Sequence, residues 1–97
     1  MRFVFHYALR ARSDLDALDA LTKQRILIKL DYFFRSENPL IFAQPLQGRF
    51  TGLYRFRIGD FRVIFRVTRV RVTREGIVTV LLVLRIGHRR DIYRLST

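Results

Sequence analysis

The feature that most constrains the fold is an alternation of apolar and polar side chains through the second half of the chain. Apolar residues recur at every second position, which is typical of strands with one buried face. Two dipeptides, Gly59-Asp60 and Glu75-Gly76, interrupt the alternation, and both have the composition of tight hairpin turns. The pattern predicts three antiparallel strands, at residues 53–58, 61–74 and 77–86. The third is apolar almost throughout and is predicted to be central in the sheet.

The first half of the chain predicts one strand followed by two helices. Residues 3–8 alternate aromatic and smaller side chains, which indicates a strand. Ser13 is expected to cap a short helix, and Thr22 is expected to cap a second one that ends near Ser36. The apolar residues of the second helix have amphipathic spacing: Ile26, Leu27, Leu30, Phe33 and Phe34.

Residues 37–52 contain two prolines and two glycines and are predicted to be loop. The resulting order is β-α-α-β-β-β. It predicts an α+β fold in which a helical hairpin packs on one face of a small, mainly antiparallel sheet. We expect residues 1–97 to form a single domain, because the length suits one hydrophobic core.

The charge of the chain is large and unevenly distributed. Lys and Arg total 19 against 8 Asp and Glu, a formal net charge of +11, and all the cations except Lys23 and Lys29 are arginine. Residues 49–97 hold twelve arginines and three acidic residues. Arginine suits planar, bidentate contacts with phosphate. A polyanion such as a nucleic acid is therefore the predicted partner.

The composition also excludes several classes of function. The chain has no cysteine, which excludes disulfides, thiol nucleophiles and cysteine-ligated metals, and which favours the cytoplasm as its compartment. The longest apolar run, residues 77–84, is far shorter than the roughly 20 residues that span a bilayer. The sequence shows no carboxylate pair, Ser-His-Asp arrangement or metal-ligand cluster. We therefore predict no metal, cofactor, membrane or small-molecule substrate.

The two turns predict which side chains share a face of the sheet. A two-residue turn at Gly59-Asp60 places Arg57 opposite Arg62 and Phe56 opposite Val63. A turn at Glu75-Gly76 would pair Arg62 with Arg89 and Arg66 with Arg85. Six arginines would then converge on the face away from the helices: Arg55, Arg57, Arg62, Arg66, Arg85 and Arg89.

This convergence would be unfavourable for folding. Two guanidinium groups about 5 Å apart repel by roughly 3 kcal/mol before screening at an effective dielectric near 20. A phosphate backbone would turn that repulsion into attraction. The alternative is a solvated face, on which long arginine side chains merely cover apolar neighbours.

Beyond Thr68 the alternation reverses, and two explanations are open. A β-bulge near residues 68–69 would shift the second pairing and bring His88, instead of Arg89, opposite Arg62. Strong twisting of a hairpin tip beyond the helices would leave the pairing intact.

Three segments of the sequence carry a resemblance to a known family. They are Pro45-Leu46-Gln47-Gly48, Tyr54-Arg55-Phe56-Arg57-Ile58-Gly59-Asp60-Phe61-Arg62-Val63-Ile64-Phe65 and Gly87-His88-Arg89-Arg90-Asp91-Ile92-Tyr93. In this order, after a strand and a helical hairpin, they resemble the RelE branch of the RelE/ParE toxin superfamily. The resemblance covers essentially the whole chain.

The resemblance implies a toxin of a type II toxin–antitoxin pair that enters the ribosomal A site and cleaves mRNA. The 2′-hydroxyl of the RNA would attack the neighbouring phosphate, giving a 2′,3′-cyclic phosphate and a 5′-hydroxyl. Arg55 and Arg57 match basic residues that act in catalysis or backbone contact. Arg62 and Arg89 match arginines that stabilise the developing charge, and Tyr93 matches a tyrosine that stacks on a base.

Four further residues are predicted to bind RNA without taking part in catalysis: Arg66, Arg85, His88 and Arg90. His88 could exchange a proton, because imidazole is the side chain suited to that near neutral pH, or it could be a packed or capping residue. The best-known family pattern has Lys where this chain has Arg55 and Arg57. Arginine is a poor general base, so neither residue is expected to abstract a proton.

Two other functions fit the same sequence: a ParE-like inhibitor of DNA gyrase and a non-catalytic RNA-binding module. The expected partners are the ribosome with its mRNA and a cognate antitoxin whose acidic segment covers the basic face. The edge of the strand at residues 53–58 is one predicted docking position for that antitoxin.

Overall fold

A computed structural model of the protein describes residues 2–72, 74 and 76–94. Its elements are β1 (Arg2–Tyr7), α1 (Leu9–Asp16), α2 (Ala20–Arg35), β2 (Ala43–Pro45), β3 (Leu53–Ile58), β4 (Phe61–Val72) and β5 (Gly76–His88). The sheet has five strands in the order β1-β5-β4-β3-β2, with β1 parallel to β5 and the other pairs antiparallel. This arrangement confirms the predicted α+β fold and the internal position of β5. Neither described helix is long and apolar enough to cross a membrane.

The helix starts differ from the sequence prediction. The cap of α2 is Asp19, whose carboxylate accepts from the Thr22 backbone N–H at 2.9 Å and from the Thr22 hydroxyl at 2.8 Å. These bonds lower the pKa of Asp19. Ser13 lies inside α1, which begins at Leu9 because the Ala8 N–H completes the β1–β5 ladder by donating to Val83. The end of α2 at Ser36 is as predicted.

The segment predicted to be loop contains β2. Its three residues pair with β3, for example Gln44 with Arg55. β2 therefore covers the edge of β3, and the predicted docking position at that edge is wrong. β2 is difficult to predict from the sequence, because three residues are too few to show alternation and because proline is tolerated in a strand only at an edge position.

Two hydrophobic clusters lie on opposite faces of the sheet. The larger one joins α1 and α2 to the sheet around an aromatic group, in which Phe56 lies 4.5 Å from Phe65 and 4.8 Å from Phe33 between ring centroids. The smaller one lies on the other face, where Leu46 and Ile92 pack on Ile64. Segments before β3 and after β5 thus cover part of the face that carries the arginines.

The register of the first hairpin is as predicted, and that of the second is not. Arg57 lies opposite Arg62 and Phe56 opposite Val63. In the second hairpin Arg62 lies opposite Gly87, and Arg66 opposite Leu82. The predicted pairs of Arg62 with Arg89 or His88, and of Arg66 with Arg85, are therefore wrong.

Two features produce the different register. Gly76 is already part of β5 and pairs with Val72, so it is not a turn residue; the other predicted turn residue, Glu75, lies outside the described residues. The bulge falls between the pairs of Ile64 and Phe65, where Leu84 is the extra residue on β5. It is not at residues 68–69, because pairing is continuous from Phe65 to Val72.

Candidate active site

Arg62 is the centre of the candidate site. Its side chain is 6% exposed, and Nη1 donates to the carbonyls of Gly59 at 2.8 Å and Phe61 at 2.9 Å. The turn that supplies the first carbonyl needs a glycine, because Gly59 has φ 58°. Among the described residues, Arg62 forms no ion pair with a carboxylate. The fold therefore holds a nearly buried cation in a fixed position without a counter-charge.

Other cations surround this guanidinium. Burial lowers the pKa of Arg62, and the charges of Arg57, Arg55 and Arg89 lower it further. A guanidinium remains protonated at neutral pH despite such shifts. The surplus positive charge favours an anion that enters from the solvent side.

Arg55 is hydrogen-bonded to residues of two other segments, Gln44 and Tyr93. Its Nε and Nη2 donate to Oε1 of Gln44 at 3.1 and 3.0 Å, and its Nη1 donates to the hydroxyl of Tyr93 at 2.6 Å. The forked contact with β2 fixes the plane of the guanidinium. Arg57, in contrast, is exposed and lies directly opposite Arg62.

Tyr93 lies in a short 3₁₀ turn, Ile92–Arg94, that folds back over the sheet. The buried side chain of Ile92 anchors the turn in the smaller cluster. Nη2 of Arg49 donates to the Tyr93 carbonyl at 3.0 Å, and the Tyr93 ring lies 5.6 Å from that of Phe50. These contacts place an aromatic ring beside the arginines, where a base could stack.

Arg89 reaches the site from the turn after β5. Its backbone N–H donates to the Asp60 carbonyl at 2.7 Å, and its Nε lies 3.6 Å from the Asp60 carboxylate. Both side chains are more than half exposed, so an anion from solvent can compete for Arg89. The structure thus brings together five of the predicted site residues: Arg55, Arg57, Arg62, Arg89 and Tyr93.

The other predicted RNA-binding residues do not join this group. Arg66 is exposed on the same face but farther along β4. His88 lies on the helix-covered face, where its ring packs 5.5 Å from Phe61, and its Nδ1 accepts from the Arg90 backbone N–H at 3.1 Å. This geometry is that of the packed or capping histidine. Arg90 is exposed in the turn.

Arg85 lines the cavity beside Tyr93, and its guanidinium is bound to Asp14 of α1. The Asp14 carboxylate accepts from Arg85 Nε at 2.9 Å, from Arg85 Nη2 at 3.1 Å and from the Ile86 backbone N–H at 2.9 Å. The hydrogen bond to Asp14 raises the pKa of Arg85. Asp14 therefore holds β5 at its bulge, beyond the last residue of β5 that pairs with β1.

Replacing Asp14 with Ala should lower the free energy of unfolding by about 2–3 kcal/mol, because it leaves the Arg85 charge and the Ile86 N–H without this acceptor. Urea unfolding monitored by circular dichroism measures the change. Asp16→Ala is the matched control in the same helix, since its ion pair with Lys23 is exposed and should contribute less than about 1 kcal/mol. Equal losses in the two variants would contradict the role assigned to Asp14.

Sequence reasoning missed two residues that shape the site. Gln44 orients Arg55, and Asp14 removes Arg85 from the arginine group. Gln44 could have been identified only if β2 had been predicted, because the pairing of β2 with β3 places Gln44 opposite Arg55. Nothing local to Asp14 signals its partner, which lies 71 residues away. Among the described residues, no group of His, Asp and Glu is arranged as a metal site.

Comparisons with known proteins agree with this fold. The toxin RelG of Mycobacterium tuberculosis is 27% identical over 94 residues, which cover 97% of this chain and 99% of RelG. The RelBE2 toxin–antitoxin complex of the same species contains a chain with a TM-score of 0.69 and 24% identity, covering 92% of this chain and all of that one. A chain of the RelE–RelB complex from Pyrococcus horikoshii has a TM-score of 0.58 and 26% identity, covering 92% of this chain and 97% of that one.

A family model matches most of the chain. It is described as the ParE toxin of the type II toxin–antitoxin system parDE, and it matches residues 5–93. This range includes all five residues of the candidate site. The chain therefore belongs to the ParE toxin family of type II toxin–antitoxin systems and has the fold of the RelE-like toxins.

Proposed function

We propose that this toxin is a ribosome-dependent endoribonuclease that cleaves mRNA in the A site and so inhibits translation in the cytoplasm. Residues 1–97 would act as one toxin domain. The observation that carries the proposal is the fixed, nearly buried guanidinium of Arg62, which has other arginines around it and no carboxylate ion pair among the described residues. Such a site can stabilise negative charge that grows on a phosphate.

The chemistry needs charge stabilisation and alignment more than a protein nucleophile. The 2′-oxygen of the RNA bonds to the adjacent phosphorus while the bond from phosphorus to the 5′-oxygen breaks. The 2′-hydroxyl loses a proton and the departing 5′-oxygen gains one. Arg62 and Arg89 would balance the additional charge on the phosphate, and Arg57 would hold the backbone.

Proton transfer is assigned to water and not to an arginine, because guanidinium groups stay protonated. The packing of His88 against Phe61 on the other face of the sheet also argues against imidazole as the proton acceptor. In this proposal the rate comes from in-line alignment on the ribosome and from charge stabilisation. Because the rate depends on this alignment, we expect free RNA to be a poor substrate.

The decisive experiment is the mapping of mRNA 5′ ends after brief induction of the toxin, with a parallel reaction on purified ribosomes. We expect new 5′-hydroxyl ends inside codons for the wild type and none above background for Arg62→Ala or Arg89→Ala. Cleavage of naked transcript at the same rate would contradict the dependence on the ribosome.

Two substitutions of Tyr93 distinguish the contribution of its hydroxyl group from that of its ring. Tyr93→Phe keeps the ring but loses the hydroxyl that accepts from Arg55, and it should lower the single-turnover cleavage rate by about 3- to 10-fold. Tyr93→Ala also loses stacking, which is worth roughly 1–3 kcal/mol per base, and should lower cleavage by about 10- to 100-fold. Equal rates for the two variants would show that the ring does not stack on RNA.

A second candidate function follows from the family model, whose description names ParE. It is inhibition of DNA gyrase through protein contacts, without an RNA-cutting site. This function predicts DNA damage with intact mRNA after induction, and toxicity that survives Arg62→Ala. The proposed nuclease activity predicts cleaved mRNA without DNA damage, and toxicity that is lost in Arg62→Ala.

The proposal includes a cognate antitoxin. Similar chains occur in complexes of RelE with RelB and of YafQ with DinJ. An antitoxin segment rich in Asp and Glu would supply the carboxylates that Arg62 and Arg57 do not find among the described residues. Binding to such a segment should weaken as salt concentration rises.

A further inference from the structure

The far end of the β4–β5 hairpin forms an exposed arm, defined here by residues 68–72, 74, 76 and 77. Every described residue of the arm is exposed, namely 68–72, 74, 76 and 77. The last residue of β4 that packs against the larger cluster is Val67. The arm is thus a part of the sheet that the helices do not cover.

Three arginines occupy the arm: Arg69, Arg71 and Arg74. Directly across the hairpin, Arg69 faces Thr79 and Arg71 faces Ile77, so neither has an acidic cross-strand neighbour. None of the three forms an ion pair with a described carboxylate. Their charge is not balanced within the described part of the protein.

The arm is too far from Arg62 to assist the chemistry there. At about 3.3 Å per residue along β4, Arg69 and Arg71 lie roughly 23 and 30 Å from Arg62. Charges exposed to solvent at physiological salt are screened beyond about 8 Å. The arm arginines therefore do not contribute to charge stabilisation at Arg62, and any anion that they bind is a separate one.

The exposed apolar residues of the arm can be explained by strand pairing, so they do not require a protein partner. Val70 pairs with Val78, and Ile77 is opposite Arg71. Contacts between β-branched side chains across a hairpin stabilise it even at the surface. The described strand residues of the arm are therefore paired before binding, which lowers the entropic cost of contact with a rigid partner.

We propose that the arm is a second RNA-contact surface, in which Arg69, Arg71 and Arg74 bind the phosphate backbone of ribosomal RNA. The choice of ribosomal RNA as the polyanion rests on the proposed function. Guanidinium groups suit phosphate, and contacts to the backbone need no particular base sequence. The arm docks the toxin on the ribosome while the Arg62 site engages the mRNA.

The test measures binding to purified 70S ribosomes that carry no mRNA, between 50 and 200 mM salt, so that cleavage cannot affect the result. The arm variant is Arg69→Ala/Arg71→Ala/Arg74→Ala. Its control, Arg10→Ala/Arg12→Ala/Arg25→Ala, removes the same charge from exposed positions of α1 and α2. Circular dichroism and urea unfolding establish that both variants are folded.

We expect the arm variant to bind about 10- to 100-fold more weakly than the wild type at the higher salt, and the control to stay within about 3-fold. The slope of log affinity against log salt should become shallower by about 2–3, because each lost phosphate contact contributes roughly 0.7–0.9. Changing the same three residues to Lys keeps the charge and should retain most of the slope.

Equal binding by the arm variant and the control would overturn the proposal. So would an arm variant that keeps its affinity for ribosomes but fails to bind the antitoxin, because the arm would then be a protein-binding surface. Failure of the nuclease proposal gives a different result, namely wild-type toxin that binds ribosomes through the arm and leaves mRNA intact.

Discussion

Arg62→Ala should lower the rate of mRNA cleavage on ribosomes by at least 100- to 1,000-fold while leaving the protein as stable as the wild type or more so. Loss of one preorganised donor at a developing negative charge typically reduces catalysis by that factor. For folding, the same guanidinium is nearly buried, is surrounded by cations and has no carboxylate ion pair among the described residues. Its removal relieves repulsion and desolvation.

Single-turnover cleavage and urea unfolding, measured on the same preparation, test both halves of this prediction. Arg62→Lys keeps a positive charge, but it lacks the planar guanidinium whose several N–H groups can contact two carbonyls and a phosphate at once. It should therefore recover little activity. Arg25→Ala, on the exposed surface of α2, is the control for general loss of charge. A strongly destabilised Arg62→Ala protein would show instead that Arg62 is needed for the fold.

Phe56→Ala should be the most destabilising single substitution considered, with a loss of about 3–5 kcal/mol in the free energy of unfolding. Phe56 is fully buried and contacts Phe33 and Phe65, and truncating such a residue removes both transfer energy and packing. The total free energy of unfolding of a domain of this size is roughly 5–15 kcal/mol. The variant should therefore be partly unfolded at growth temperature.

Phe56→Leu provides the comparison, because it keeps most of the volume and should cost less than about 1.5 kcal/mol. It should also retain cleavage, since the alternation that places Arg55 and Arg57 on the face away from the helices depends on a buried apolar residue between them and not on an aromatic ring. Thermal and urea unfolding give the stabilities. A loss below about 1 kcal/mol in Phe56→Ala would mean that the core does not depend on this aromatic contact.

The parts of the fold that could be predicted are those set by local chemistry. The Gly59-Asp60 turn fixed the β3–β4 register, and with it the face shared by Arg57 and Arg62. The periodicity of α2 located its three buried residues, Ile26, Leu30 and Phe33, because amphipathic spacing is a local property. Leu27, on the edge of the predicted apolar face, is exposed.

The errors arose where distant contacts decide the structure. The β4–β5 register depends on the bulge at Leu84, beside which Asp14 accepts from the Ile86 backbone N–H. The same carboxylate takes Arg85 away from the arginine group. Tyr93 meets Arg55 only because Ile92 anchors the final turn on the sheet. None of these contacts can be derived from the residues adjacent in sequence.

The contact between Asp60 and Arg89 has a consequence for how substrate enters. In the unbound protein, the carboxylate of Asp60 lies 3.6 Å from Nε of Arg89 and offsets part of its charge. Under the proposed function, an RNA phosphate would compete with this carboxylate. An entering phosphate must displace that carboxylate, and a weakly held or transient anion gains little by doing so. The pair would thus act as a selectivity filter at the mouth of the site, favouring a polyanion held in place by other contacts over free phosphate.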